Sequence, residues 1–404
     1  MKRQCSKQFK RRGAIAPMMA LLLIPMTAAV AFAINLSYLT GTKAELQNAA
    51  DAAALAGAEQ LMNGFVQYAL PQQSNQSGLV SSSQSSATSS AQRFASYNAA
   101  GPVSSLVLNN SDVQFGFRDS LGNFSFPPPA GTYPNTVNVT MRMDSTANGP
   151  LALFFGNALG VTSSSMTATA SATIFTASAV QTFSSGSGSG SSGVKSPLLP
   201  VGLDINYWNQ FLRNGVSPDG TVHSGPNGAP QIQVYPYPGS APGNFGLVCI
   251  GPPATDCPTF QNWILNGPSA SDLAYLTGNG LVPATPEAPQ PWIGGPGMKS
   301  SLTVDFASSV GQPRLIPVFE PISTSPYQAA GAQGSSAFYN VVGFVGVTIT
   351  EAQGEGFHTL IAVQPCAVLD PTAIFGSSSV TPATFSQNSG SSLVTTMAAP
   401  KLTQ

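Results

Sequence analysis

Charged side chains are scarce in this chain. Asp, Glu, Lys and Arg make up 8% of its 404 residues, against about 25% in average soluble domains. The formal net charge is −1, so the chain as a whole has no field that would favour nucleic acid or an acidic substrate. The 42% of hydrophobic residues excludes a chain that is disordered throughout.

Motifs of catalysis and metal binding are also missing. The sequence has two histidines, His223 and His358, and no HExxH, CxxC, GxSxG or P-loop motif. A zinc site, a hydrolase elbow and a phosphate cradle therefore have no support. A glycosidase pair stays open, because its two carboxylates need not be close along the chain. We expect no catalytic residue, no cofactor and no metal site, and hence no enzyme.

The charges that are present are unevenly distributed at the N-terminus. Residues 1–12 contain six basic residues and no acidic one, and residues 13–36 contain no charge. About 20 helical residues cross a hydrocarbon core about 30 Å thick. The sequence therefore predicts a transmembrane helix over residues 13–36, with a kink at Pro25. The positive-inside rule predicts that residues 1–12 lie in the cytoplasm and that the rest of the chain is exported.

A cleaved signal peptide is the alternative interpretation of the same segment. Small residues at Ala31 and Ala33 resemble a cleavage site. The apolar run exceeds the roughly 7–15 residues usual in a signal peptide, which favours a retained anchor. Cys5 precedes the apolar run, so a lipoprotein is not expected.

Residues 37–65 predict a helical stalk beyond the anchor. Ala, Leu, Gln and Glu dominate from Lys43 onward and favour a helix. Leu39, Leu46 and Ala53 recur at seven-residue spacing on one face. This face either packs on the protein's own domain or contacts neighbouring subunits.

The order of these segments, from Arg11 to Ala58, resembles the N-terminus of TadG-like proteins, which belong to the TadE/G-like family of Flp (tight adherence) pilus-assembly proteins. In that family a basic head and a Gly precede an apolar helix, a polar turn and an Ala-rich run. A weaker resemblance continues to about residue 175. The residues that match the Ala-rich run are Leu46, Gln47, Ala49, Ala50, Asp51, Ala52, Ala53, Ala54, Leu55, Ala56, Gly57 and Ala58.

The resemblance implies a non-catalytic accessory protein of Flp pilus assembly or anchoring. It implies a location in the bacterial inner membrane, with the bulk of the chain in the periplasm. The implied partners are the lipid bilayer and other Tad proteins or pilin, with no nucleic acid and no small-molecule substrate. Pilins of this system are cut after a Gly that stands shortly before a Glu, but no Glu follows Gly13 before Lys43. A processed pilin is therefore not expected.

A protein of another class remains the alternative function. It would be a secreted hydrolase or carbohydrate-binding protein, released after signal cleavage.

The exported region is predicted to be α+β or mostly β, with many loops. We expect an α+β domain over 66–182, a Gly/Ser linker over 183–194, a β-rich domain over 195–374 and a disordered tail over 375–404. Residues 72–92 are rich in Ser and Gln and predict a flexible loop. A short apolar helix is expected over 151–159. Strands are predicted at 113–117, 137–141, 166–174, 315–319, 341–350 and 359–363, the last two as a hairpin.

Three cysteines follow the anchor: Cys249, Cys257 and Cys366. An oxidising compartment would permit a disulfide. Cys249 with Cys257 closes a short Pro-rich loop and is the preferred pair. Pairing of either with Cys366, or three thiols, stays open.

Overall fold

The computed structural model describes residues 15–70, 75–184, 195–217, 220–226, 228–235, 247–254, 256–295, 300–320, 330–333, 336–354, 360–376, 380–384 and 396–403. The chain divides into two compact units. The first unit comprises residues 1–53, 91–113 and 139–170, and the second comprises residues 54–90, 114–138 and 171–404.

Helices and strands alternate irregularly along the described residues. The α-helices are α1 (Ile15–Ala69), α2 (Gln76–Ser96), α3 (Gly156–Leu159), α4 (Ile205–Asn214), α5 (Cys257–Asn266), α6 (Ala270–Gly278) and α7 (Thr303–Ser308). Short 3₁₀ helices span Asn110–Asp112 and Ser300–Leu302.

The strands up to the middle of the chain are β1 (Val113–Arg118), β2 (Phe124–Ser125), β3 (Thr136–Met143), β4 (Leu151–Ala152), β5 (Ser163–Ser164), β6 (Met166–Ala177), β7 (Val180–Phe183), β8 (Leu203–Asp204), β9 (His223–Ser224) and β10 (Pro230–Tyr235). The later strands are β11 (Leu247–Val248), β12 (Gln290–Gly295), β13 (Pro313–Glu320), β14 (Ala330–Gln333), β15 (Ser336–Gln353), β16 (Leu360–Pro365), β17 (Val368–Leu369), β18 (Ala373–Phe375), β19 (Val380–Pro382) and β20 (Thr396–Leu402).

Helix α1 joins the predicted anchor and the predicted stalk without a break. It runs for 55 residues, because Ala, Leu, Met, Gln and Glu keep helix propensity high along its length. Its hydroxyl groups bond to carbonyls of the preceding turn, as Thr27 Oγ1 does to Ile24 O at 2.9 Å. The predicted long apolar N-terminal helix is confirmed.

Helix α2 occupies residues 76–92 of the segment predicted to be a flexible loop over residues 72–92, so the prediction was wrong for these residues. Residues 72–74 lie outside the described residues. Ala87, Ala91 and Ala95 recur every four residues and are fully buried. Small side chains in such a row let another backbone approach closely. Serine hydroxyls bond to carbonyls one turn earlier, as Ser89 Oγ does to Ser85 O at 3.0 Å. The buried alanine row therefore lets this helix pack although it contains few large apolar residues.

In the first unit, a small hairpin replaces most of the helix predicted over 151–159. Strands β4 and β5 pair antiparallel, and only the four residues of α3 between them are helical. Elsewhere in this unit, Arg142 Nε bonds to Asp112 Oδ1 at 2.7 Å.

The second unit is built on a sheet that has nine strands in the described residues. Its order is β11-β12-β15-β16-β10-β9, with β13 and β14 also paired to β15, and β8 parallel to β13. Trp208, Trp263 and Trp292 are each at most 1% exposed in its core. Strands β13, β15 and β16 fall where strands were predicted. The predicted hairpin of β15 with β16 is confirmed, and its turn lies outside the described residues.

The tail predicted to be disordered over 375–404 contains two strands. Both β19 and β20 pair antiparallel with β6, and Met397 and Ala398 are buried. For the described residues of the tail, the prediction of disorder was therefore wrong. Ser and Thr are compatible with a strand once β6 supplies an edge to pair with, and β6 lies more than 200 residues earlier in the chain.

The predicted linker does not separate the two units. Strand β7, which precedes it, pairs with β18, which lies far beyond it, and both belong to the second unit. Residues 185–194 of the linker lie outside the described residues. The predicted domain boundaries therefore differ from the observed units.

Candidate membrane anchor and stalk

The N-terminal part of α1 carries a continuous apolar surface over residues 18–36, here called the apolar band. Its large side chains are between 42% and 73% exposed. They are Met18, Met19, Leu21, Leu22, Leu23, Ile24, Met26, Val30, Phe32, Ile34 and Leu36. Contiguous apolar surface of this kind marks a site of interaction with protein or membrane.

The length and composition of α1 suit a membrane. Over residues 18–69 it is long and apolar enough to cross one. The first charged residues of the described chain are Lys43 and Glu45, beyond the band. The backbone of a helix is satisfied internally, which is what a segment surrounded by lipid requires.

The Ala-rich run of α1 differs from the band because it is covered by the chain itself. None of its twelve matched residues, from Leu46 to Ala58, is exposed. Leu46, Ala49, Ala50 and Ala53 are each 0% exposed. Of the two interpretations of this face, packing on the protein's own domain is therefore the one that the structure shows.

Polar members of the run hold α1 within the first unit. Gln47 Nε2 donates to Asp51 Oδ1 at 2.8 Å and to Thr169 O at 3.1 Å. Two residues before Gln47, Glu45 accepts a hydrogen bond from Gly101 N at 2.8 Å. The Gln and Asp of the run thus have a structural role, which their spacing of four residues on a helix makes possible.

The C-terminal part of α1 is held within the second unit. Tyr133 donates its hydroxyl to Leu61 O at 3.0 Å, and burial raises the pKa of Tyr133 well above its ordinary value. A Cβ added to Gly64 would lie 2.1 Å from both Ser83 Oγ and Tyr133 Oη. Sequence reasoning did not identify Gly64 or Tyr133, although a glycine inside a helix is a signal of close packing.

The predicted disulfide between Cys249 and Cys257 is not formed in the structure. The thiol of Cys249 lies 3.4 Å from Ala254 O, and that of Cys257 lies 3.6 Å from Ser301 Oγ. Cys257 is the first residue of α5, and its neighbour Asp256 caps that helix. Cys366 is also a thiol, and burial raises its pKa.

His223 and two of the carboxylates, Asp204 and Asp256, have structural partners. His223 Nε2 lies 2.8 Å from Thr221 Oγ1, and His358 lies outside the described residues. Asp204 and Asp256 cap α4 and α5. Within the described ranges, no three His, Cys, Asp or Glu residues gather as a metal site would require.

These features define a class: a chain whose described residues contain one helix suited to a membrane, followed by mixed sheets. Residues 13–60 match the model of a family described as putative Flp pilus-assembly TadE/G-like. The resemblance seen over residues 11–58 is thereby confirmed, and it supports a role related to pilus assembly and an attachment to a membrane. Comparisons with curated proteins and with solved structures gave no match.

Proposed function

We propose that this chain is a non-catalytic accessory protein of Flp pilus assembly, retained in the bacterial inner membrane by the apolar band. The continuity of α1 supports this proposal most directly. One unbroken helix runs from the open band into the covered Ala-rich run. Cleavage after Ala33 would cut this helix two residues before Asn35, a side chain that is only 3% exposed.

The orientation follows from charge. The basic residues of 1–12 precede the band, so the positive-inside rule keeps them in the cytoplasm and exports the two units. Because the Ala-rich run is covered, contacts with other Tad proteins or pilin belong to the band and to the outer surfaces of the units. The role is to hold these surfaces at the membrane.

A phosphatase fusion tests the orientation. Alkaline phosphatase joined after residue 70 should be active in cells, because it folds only after export. The same enzyme joined after residue 12 is the matched control and should be inactive. Activity confined to the second fusion would contradict the proposed orientation.

A deletion strain tests the role in assembly. Removing the gene from a piliated strain should abolish or reduce Flp fibres, and the intact gene should restore them. A gene lacking residues 15–36 should not restore fibres. Normal fibres in the deletion strain would refute the role.

A further inference from the structure

We infer that the loop between β4 and β5, residues 153–162, is a second membrane contact that inserts into the lipid beside the apolar band. This inference rests on the proposed retention of α1 in the membrane. Among the side chains of the loop that the structure describes, three apolar ones are exposed: Phe154 at 69%, Phe155 at 40% and Val161 at 54%. It has no charge, and no charged residue occurs between Asp144 and Lys195.

The loop lies directly against the apolar band. Phe155 lines one open groove together with Leu23, Met26, Thr27, Val30 and Ala31 of α1, and almost all of the groove's lining is apolar. The ring of Phe154 lies 4.6 Å from the ring of Tyr38, two residues beyond the band. A bilayer that surrounds the band would therefore reach Phe155 as well. Aromatic rings such as Tyr38 are enriched where the membrane meets water.

Main-chain amides of the loop donate hydrogen bonds within the protein. Non-helical backbone at membrane depth is tolerated only where its polar groups are satisfied by protein. Phe155 N donates to Asn35 Oδ1 of α1 at 3.2 Å. Leu153 N donates to Thr162 O at 2.9 Å, and Val161 N donates to Gly156 O at 3.0 Å. The side chain of Asn35, within α1, thus accepts a hydrogen bond from the main chain of the loop.

Two glycines fix the shape of this loop. A Cβ at Gly156 would lie 2.5 Å from Val161 O, so only glycine fits there without a shift. Gly160 has a φ of +76°, a conformation that other residues rarely adopt. The loop is therefore a tightly closed turn that presents Phe154 and Phe155 together, which suits insertion of both rings.

Lipid quenching of single added tryptophans tests the inference. Full-length protein carrying Phe154→Trp is reconstituted into liposomes whose acyl chains are brominated, which quench tryptophan on contact. The native tryptophans are at most 1% exposed in the second unit, so the unsubstituted protein gives the baseline. We expect brominated lipid to remove most of the added emission, and aqueous iodide to leave it unchanged.

Two matched variants separate this inference from the proposed function. Phe32→Trp reports on the band and should be quenched by brominated lipid. Tyr97→Trp lies in the same unit, is 71% exposed, and should be quenched by iodide only. Quenching at residue 32 without quenching at residue 154 would overturn the loop contact and leave the anchor intact. Absence of quenching at both would overturn the anchor and the loop together.

A protein partner on the loop would give a third pattern. If Phe154→Trp is shielded from both brominated lipid and iodide, protein covers the loop, and the inference of a lipid contact is wrong.

Discussion

The two parts of α1 have similar apolar content and opposite surroundings. In the band, large side chains such as Leu21 and Ile24 are 73% and 68% exposed, whereas in the Ala-rich run Leu46 and Ala50 are 0% exposed. The difference lies in side-chain size and in charge. The run consists mostly of Ala with a few polar residues such as Asp51, while the band has many large side chains and no charge.

This contrast explains how one helix can be suited to lipid in one part and to the protein interior in another. Small side chains let the protein's own segments approach the helix, and a few polar residues then fix the packing, as Gln47 does with Thr169. The large exposed side chains of the band form an apolar surface without charge, which suits lipid instead. Apolar content alone therefore does not distinguish an anchor from a packed helix, and the size of the side chains does.

The largest effect is expected from charge in the band. Leu22→Arg combined with Ile24→Arg places two charges near the centre of the predicted transmembrane segment 13–36, each costing roughly 2.5–3.5 kcal/mol on insertion. The double variant should leave the membrane fraction or fail to accumulate. Ser37→Arg with Thr40→Arg, at exposed positions just beyond the band, is the control and should remain in membranes. Normal recovery of the first variant in membranes would contradict the assignment of the band.

Leucine truncation at the two parts of α1 should give unequal losses. Leu46→Ala removes a fully buried side chain and should lower the free energy of unfolding by about 2–5 kcal/mol. Leu23→Ala removes a side chain that is 59% exposed and should change it little. Chemical denaturation in detergent micelles, followed by circular dichroism, measures both. Equal losses of the free energy of unfolding would contradict the distinction between the covered Ala-rich run and the open apolar band.

A similar contrast between covered and open applies to two carboxylates that cap helices. Asp204 is buried, and burial raises its pKa from 3.8 to about 6. Ionisation of Asp204 therefore opposes folding. The neutral carboxyl contributes to the free energy of unfolding in full below pH 3.8, and this contribution is lost as the pH rises through about 6. Asp204→Asn keeps a capping oxygen for Asn206 N. The free energy of unfolding of this variant, relative to that of the unsubstituted protein, should therefore rise by up to about 3 kcal/mol between pH 4 and pH 8.

The control for this change is Asp256→Asn, at an exposed cap. Its effect should vary little over the same pH range, because the exposed carboxylate keeps its hydration. Denaturant titrations at several pH values measure both variants. A pH-independent effect of Asp204→Asn would show that burial does not govern this carboxyl.

The smallest contrast concerns two glycines of α1. Ala at Gly64 would crowd Ser83 and Tyr133, at a cost of roughly 1–3 kcal/mol. Better helix propensity offsets about 1 kcal/mol of this. A Cβ at Gly41 has no atom within 4 Å, so Gly41→Ala should stabilise by up to about 1 kcal/mol. Thermal unfolding measures the pair, and a stabilising Gly64→Ala would contradict the close packing.

Local patterns were sufficient to predict part of the fold. The uncharged run of residues 13–36 and the Ala-rich run predicted α1. Alternation along the chain predicted β1, β3 and β6, and apolar segments predicted β13, β15 and β16. Helix α2 was missed because its buried row consists of Ala rather than Leu. Strand β20 was missed because its partner β6 is more than 200 residues away, and local sequence does not encode such a pairing.

The candidate site was predictable to the same extent. The sequence located the band and the Ala-rich run, but it could not decide whether the run faces other proteins or its own chain. That depends on residues brought from elsewhere, such as Gly101 and Thr169. The hydrogen bond between Phe155 and Asn35, which are 120 residues apart, likewise could not be predicted from the sequence.

The most direct test of the retained anchor is the intact mass of the protein recovered from cells, together with its fractionation. We expect a chain that still contains residues 13–36, found in the membrane fraction and extracted only by detergent. A soluble chain that begins near Ile34 would show that the band is a cleaved signal peptide, and would contradict the proposed anchor.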